Sequence, residues 1–169
     1  MASKALQVGL RVWQFICALI IMSLVGNMIA TAFSGNPSSV NYEMFVASFG
    51  MASLLYLLPV AILDSYTVPM VVIALDLLNV IFWFCAAVAM AALLRVHSCS
   101  NNAYTLRNHI TNGAHNRQKR CREAQASTAF LWFGWAAFVA TLVISVMSNR
   151  GSVNMRGGIR RGGPSMSQV

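Results

Sequence analysis

The chain has 169 residues, 57% of them hydrophobic and 9% charged, with 12 Lys+Arg against 4 Asp+Glu and a formal net charge of +8 at pH 7. An average soluble domain carries about a quarter of its residues as charges, so this chain cannot cover a globule of its size with solvated groups. A soluble domain is excluded, and the length is too short for two catalytic modules but sufficient for a few membrane spans.

Each span needs roughly 20 residues to cross about 30 Å of hydrocarbon at 1.5 Å per residue. Residues 1–11 carry Lys4 and Arg11 and read as a short N-terminal segment. The charge-free intervals that follow predict spans near 12–32, 44–63 and 126–147. A fourth, near 68–94, is interrupted by Asp76 and Asn79 and opens with Pro69 in a favourable first-turn position. The reading is all-α: a four-helix transmembrane bundle over 12–148, one long loop over 95–123, and a disordered basic tail over 149–169. A cleaved secretory signal competes for the first span, because Lys4 and Arg11 precede an apolar run ending in Ala30, Thr31 and Ala32. That run is longer than a usual signal core and contains Gln14 and Asn27.

An even number of spans puts both ends on one side. The positive-inside rule does not orient the chain by count. Lys4, Arg11, Arg150, Arg156, Arg160 and Arg161 stand on one side, against Arg95, Arg107, Arg117, Lys119, Arg120 and Arg122 on the other. The charges beside the first helix favour cytoplasmic ends. Cys17 and Cys85 fall within spans, whereas Cys99 and Cys121 bracket the long loop near helix ends that must be neighbours. A Cys99 to Cys121 disulfide is therefore expected outside the cell, where closing the loop contributes about 3 kcal/mol. His97, His109 and His115 share that loop, but their spacing matches no standard zinc ligand pair.

An ionisable group inside a span is costly unless paired or wetted. Asp76 lies about 12 Å along its helix at 1.5 Å per residue, Asn79 one turn further, and Tyr56 and Thr141 at a similar level on neighbouring helices. Asp76 is expected to face the bundle interior and to bond to Tyr56 or Thr141, as an interhelical polar clamp rather than an ion relay. Trp13, Tyr42 and Tyr66 fall near span boundaries and read as interfacial anchors. No catalytic, metal or cofactor motif is present, which points away from an enzyme. In the tail, Arg150, Arg156, Arg160 and Arg161 suit anionic lipids of the inner leaflet better than RNA, since two Arg-Gly-Gly pieces lack any aromatic residue. Ser167, Gln168 and Val169 have the form of a carboxylate-terminal recognition peptide.

Val40-Asn41-Tyr42, Met44-Phe45, Leu75-Asp76, Leu78-Asn79, Arg95, His97-Ser98-Cys99, Asn102, Tyr104, Ile110-Thr111, Gly113, Arg120-Cys121-Arg122, Ala124-Gln125-Ala126 and the final Ser167-Gln168-Val169 together carry a resemblance. The chain resembles the fungal non-classical export protein 2 family of tetraspan MARVEL-like proteins. The resemblance implies a plasma-membrane protein of the furrow domains called eisosomes, which organises those domains and responds to sphingolipids. It also implies a link to export of proteins lacking a signal peptide, with other eisosome proteins or further copies of the chain as partners and no nucleic acid. A small transporter or channel centred on Asp76, and a direct unconventional-secretion factor, are the alternatives.

Overall fold

The computed structural model describes residues 2–33, 35–63, 68–95 and 97–157, with side chains described between 4 and 148. The helices are α1 (Ala2–Ala30), α2 (Ser38–Ile62), α3 (Pro69–Leu94), α4 (Asn102–Arg107) and α5 (Arg117–Gly157). Four segments among the described residues are long and apolar enough to cross a membrane, namely Lys4–Ala30, Ser38–Ile62, Pro69–Leu94 and Arg117–Ser148.

The helices outrun the charge-free intervals. α1 includes Lys4 and Arg11, α2 begins at Ser38 after Pro37 rather than at 44, and α5 begins at Arg117 rather than at 126. Absence of charge marks hydrocarbon, not helix, and helical turns continue wherever polar groups find partners or water. The 41 residues of α5 would extend about 60 Å at 1.5 Å per residue, roughly twice the hydrocarbon thickness. Residues 149–157, expected in a disordered tail, continue this helix, while 158–169 lie outside the described residues. The expected 64–67 turn, Tyr66 included, also lies outside them.

α1 packs against α2 and α5, and α3 packs against the same two, so α1 and α3 face each other across one diagonal and α2 and α5 across the other. The inward face of α3 recurs at helical spacing through Val72, Asp76, Asn79, Trp83, Ala87, Met90 and Leu94. Trp83 fills the centre. Its indole lies in notches made by Gly50 of α2 and Gly134 of α5: a Cβ on Gly50 would stand 3.0 Å from the indole nitrogen, and one on Gly134 would overlap the ring. Phe138 closes the other side, with ring centroids 5.3 Å apart. In a membrane, where apolar burial alone does not drive helices together, such close steric fit supplies packing energy.

Candidate functional site

Gln7, Arg11 and Gln14 recur at i, i+4 and i+7 on one face of α1, which turns three polar side chains toward the bundle. Arg11 extends across the diagonal to α3. Its Nη1 donates to Asp76 Oδ1 at 2.5 Å and its Nη2 to Asp76 Oδ2 at 2.7 Å, a two-pronged ion pair between groups 1% and 0% exposed. The same Nη1 donates to Gln14 Oε1 and to Thr141 Oγ1 of α5, both at 3.2 Å. Gln14 Nε2 donates to Thr141 Oγ1 at 3.0 Å, and the Thr141 hydroxyl donates to Phe138 O at 3.0 Å. One turn toward the helix end, Gln7 Nε2 donates to Ser145 Oγ at 3.3 Å. Three helices are thereby tied through one guanidinium.

Asp76 faces the interior, but its partner differs from the expected one. It binds Arg11, and Thr141 joins the cluster through Arg11 and Gln14 rather than by bonding to Asp76. Tyr56 lies elsewhere, half-buried against a separate patch of Leu57, Val60 and Val72. Asn79 is buried and donates to Leu75 O of its own helix at 2.9 Å, while its Oδ1 has no partner. Arg11 stands just outside the charge-free interval that begins at Val12, so position along the sequence alone sets it among the headgroups and leaves Tyr56 and Thr141 as the partners at the level of Asp76. The available signal was the polar stripe of Gln7, Arg11 and Gln14 on an otherwise apolar helix.

A second polar group closes the opposite end. Arg120 of α5, 1% exposed, donates through Nη1 to Met28 O at 2.6 Å, through Nε to Ile110 O at 2.7 Å, and through Nη2 to Asn36 Oδ1 at 2.9 Å. It supplies a donor to an orphan carbonyl near the C-terminus of α1 and pins two loops to it. Beside it Asn27 Nδ2 donates to Glu123 Oε1 at 2.5 Å, and Lys119 Nζ lies 3.7 Å from the same carboxylate. Cys99 and Cys121 are joined by a disulfide with Cα atoms 5.6 Å apart, fastening the segment after α3 to α5.

Within this loop the short α4 is capped by the Asn101 side chain, which accepts from the amides of Ala103 and Tyr104. The Tyr104 hydroxyl donates to Leu94 O, and burial pushes its phenol up, keeping it a donor. His97 packs on the Tyr104 ring at 4.8 Å and His115 on Phe33 at 5.1 Å, so the loop histidines do not converge on a common point.

Glu43 corrects the expectation that Asp76 is the one acid inside a span. Because α2 starts at Ser38, Glu43 lies within the bundle, fully buried, with no hydrogen-bond partner on either carboxylate oxygen. The Ser127 hydroxyl of α5 donates to Ala124 O of its own helix at 3.1 Å. The signal available in the sequence was Pro37, a helix-starting residue six positions ahead of the acid. Among the tail residues, Arg150 and Arg156 lie on the backbone of α5, and Arg160, Arg161, Ser167, Gln168 and Val169 lie outside the described residues.

Residues 4–144 match the MARVEL family, a membrane-associating domain. Non-classical export protein 2 of Saccharomyces cerevisiae is 36% identical over 140 residues, 82% of this chain and 79% of that protein. Its homolog 1 from the same yeast is 32% identical over 169 residues, covering 94% of this chain and 95% of the relative. Non-classical export protein 102 of Candida albicans is 37% identical over 165 residues and 95% of both chains.

The chain belongs to the non-classical export protein 2 family.

No solved structure matches it. In this MARVEL protein the matched stretch runs from before Arg11 to beyond Thr141, so the diagonal ion pair and the Arg120 cluster both lie in the family domain. The residues after 144, which carry the basic tail, fall outside it.

Proposed function

We propose that the protein is a non-enzymatic organiser of lateral domains in the plasma membrane, of the eisosome type, responsive to sphingolipids and contributing to export of proteins that lack a signal peptide. Its family relatives, named for non-classical export, support the last element. Both termini are cytoplasmic in this reading. The disulfide supports that orientation, because a stable bridge belongs on the oxidising side of the membrane. The helical extension carrying Arg150 and Arg156, followed by Arg160 and Arg161, then meets the anionic inner leaflet.

The observation that carries the reading is the inward closure of the charged groups. Arg11 and Asp76 satisfy each other within the bundle, while Leu19, Phe45, Leu55, Leu78, Phe133 and Val143 turn large apolar side chains outward on all four spans. A bundle arranged in this way acts through lipid and lateral neighbours, copies of itself or other eisosome proteins, rather than through an aqueous path at Asp76. The test is the lateral distribution of a tagged copy before and after sphingolipid depletion. Redistribution out of discrete patches is the expected result; a uniform distribution unchanged by depletion overturns the reading.

A further inference from the structure

A cleft of about 660 Å³ opens between the C-terminal end of α3 and α4, with Ala92 and Leu93 as its apolar floor and Arg95, His97, Arg107 and His109 around it. No carboxylate lines it. Neither the Arg95 nor the Arg107 guanidinium has a hydrogen bond or ion pair among the described residues. The cleft is held open by specific bonds rather than by chance loop placement. Tyr104 OH donates to Leu94 O, Asn108 Nδ2 donates to Leu93 O at 2.8 Å, and the Cys99–Cys121 bridge holds the base of the loop.

The backbone gives a second, independent indication. Arg95 ends α3 in the left-handed conformation, φ 47° and ψ 30°, the single non-glycine residue with positive φ among those described. Glycine occupies this helix-ending conformation without a Cβ penalty, so an arginine there holds its side chain at the cleft against the local backbone preference. It is also the first charge after a span, which sets it at headgroup depth. Below it, the exposed stripe of Leu77, Ile81, Phe84 and Val88 recurs at helical spacing and runs into exposed Ala92 on the cleft floor.

We infer that this cleft is a binding site for one lipid with a net-negative phosphate head in the leaflet on the disulfide side of the membrane, opposite the leaflet met by the basic tail, with Arg95 and Arg107 taking the phosphate and an acyl chain lying along the α3 stripe. A cationic rim above an apolar, lipid-facing track matches a charged head on a hydrocarbon tail. A free anion would leave that track unused. The inference is independent of the domain-organising role.

The test is native mass spectrometry of the full-length protein in nonionic detergent, titrated with phosphatidylserine, phosphatidylcholine or inorganic phosphate. The wild type retains one phosphatidylserine in preference to phosphatidylcholine. Arg95→Gln/Arg107→Gln lowers that preference about thirtyfold, the scale expected for two cations at a lipid surface. Arg117→Gln/Arg122→Gln, which removes the same charge from the first turns of α5 outside the cleft, retains it. Arg95→Gly relieves the backbone and raises the melting temperature, yet still weakens lipid retention, a combination that a purely structural arginine does not produce. Should the double variant fail to fold, Arg107→Gln at the exposed end of α4 is read in the same way. Equal loss in both double variants, no anionic preference in the wild type, or displacement of lipid by inorganic phosphate at comparable concentration overturns the inference.

Discussion

Arg11 and Asp76 join across the diagonal of the bundle, two nitrogens of one group to two oxygens of the other, in a place neither would occupy alone. Each charge is expensive to desolvate, and their mutual attraction offsets this only while both are present. Arg11→Met or Asp76→Leu alone is expected to cost about 3–5 kcal/mol by leaving an unpaired buried charge. The double variant should recover most of that loss. Thermal unfolding of the four proteins in detergent measures the coupling, and additive losses would show that the two charges are stabilised separately.

Trp83 is held as tightly by what its neighbours lack. Gly134→Ala places a methyl group inside the indole, so α3 and α5 must separate or the ring must leave its position, an overpacking cost of about 1–3 kcal/mol. Gly50→Ala meets the indole at 3.0 Å and is expected to cost less. Trp83→Leu placed on Gly134→Ala removes the overlap and should recover part of the loss. Melting temperatures of the three variants check the order, and a Gly134→Ala protein as stable as the wild type would contradict this packing.

Four spans are legible because hydrocarbon demands long uncharged stretches, and Asp76 is legible because it interrupts one. Arg11 is harder to read. A cation just outside an apolar interval resembles an interfacial anchor, and only the three-dimensional pairing shows that its helix carries it inward. Glu43 is displaced for the same reason: charge-free intervals mark α2 from Met44, while the helix starts earlier at Ser38. Arg120 is counted in sequence as one more loop charge, yet it bonds to Met28 O, Ile110 O and Asn36, three partners distant along the chain or in a loop without period. The adjacency of Cys99 and Cys121 is more accessible, since it follows from consecutive antiparallel spans.

The disulfide closes a segment with a sequence separation of 22, so its removal chiefly enlarges the conformational freedom of the unfolded chain. Cys99→Ser/Cys121→Ser is expected to lose about 3 kcal/mol. Reductant should lower the unfolding midpoint of the wild type by a comparable amount and leave the double variant unchanged. Insensitivity of the wild type to a reductant that reaches the loop would mean that the Arg120 contacts, and not the bridge, set the stability of this end.

Glu43 presents the opposite case from Asp76, a carboxylate taken out of solvent with neither oxygen hydrogen-bonded. A buried polar group without a partner carries its desolvation cost uncompensated, about 1–3 kcal/mol and more when charged. Glu43→Gln keeps the shape and removes the ionisable group, so it is expected to raise the unfolding midpoint at neutral pH. Glu43→Ala instead leaves a void between α2 and α5 and should lower it. A Glu43→Gln protein that is less stable than the wild type would show that the carboxylate is engaged by a partner which the amide cannot satisfy.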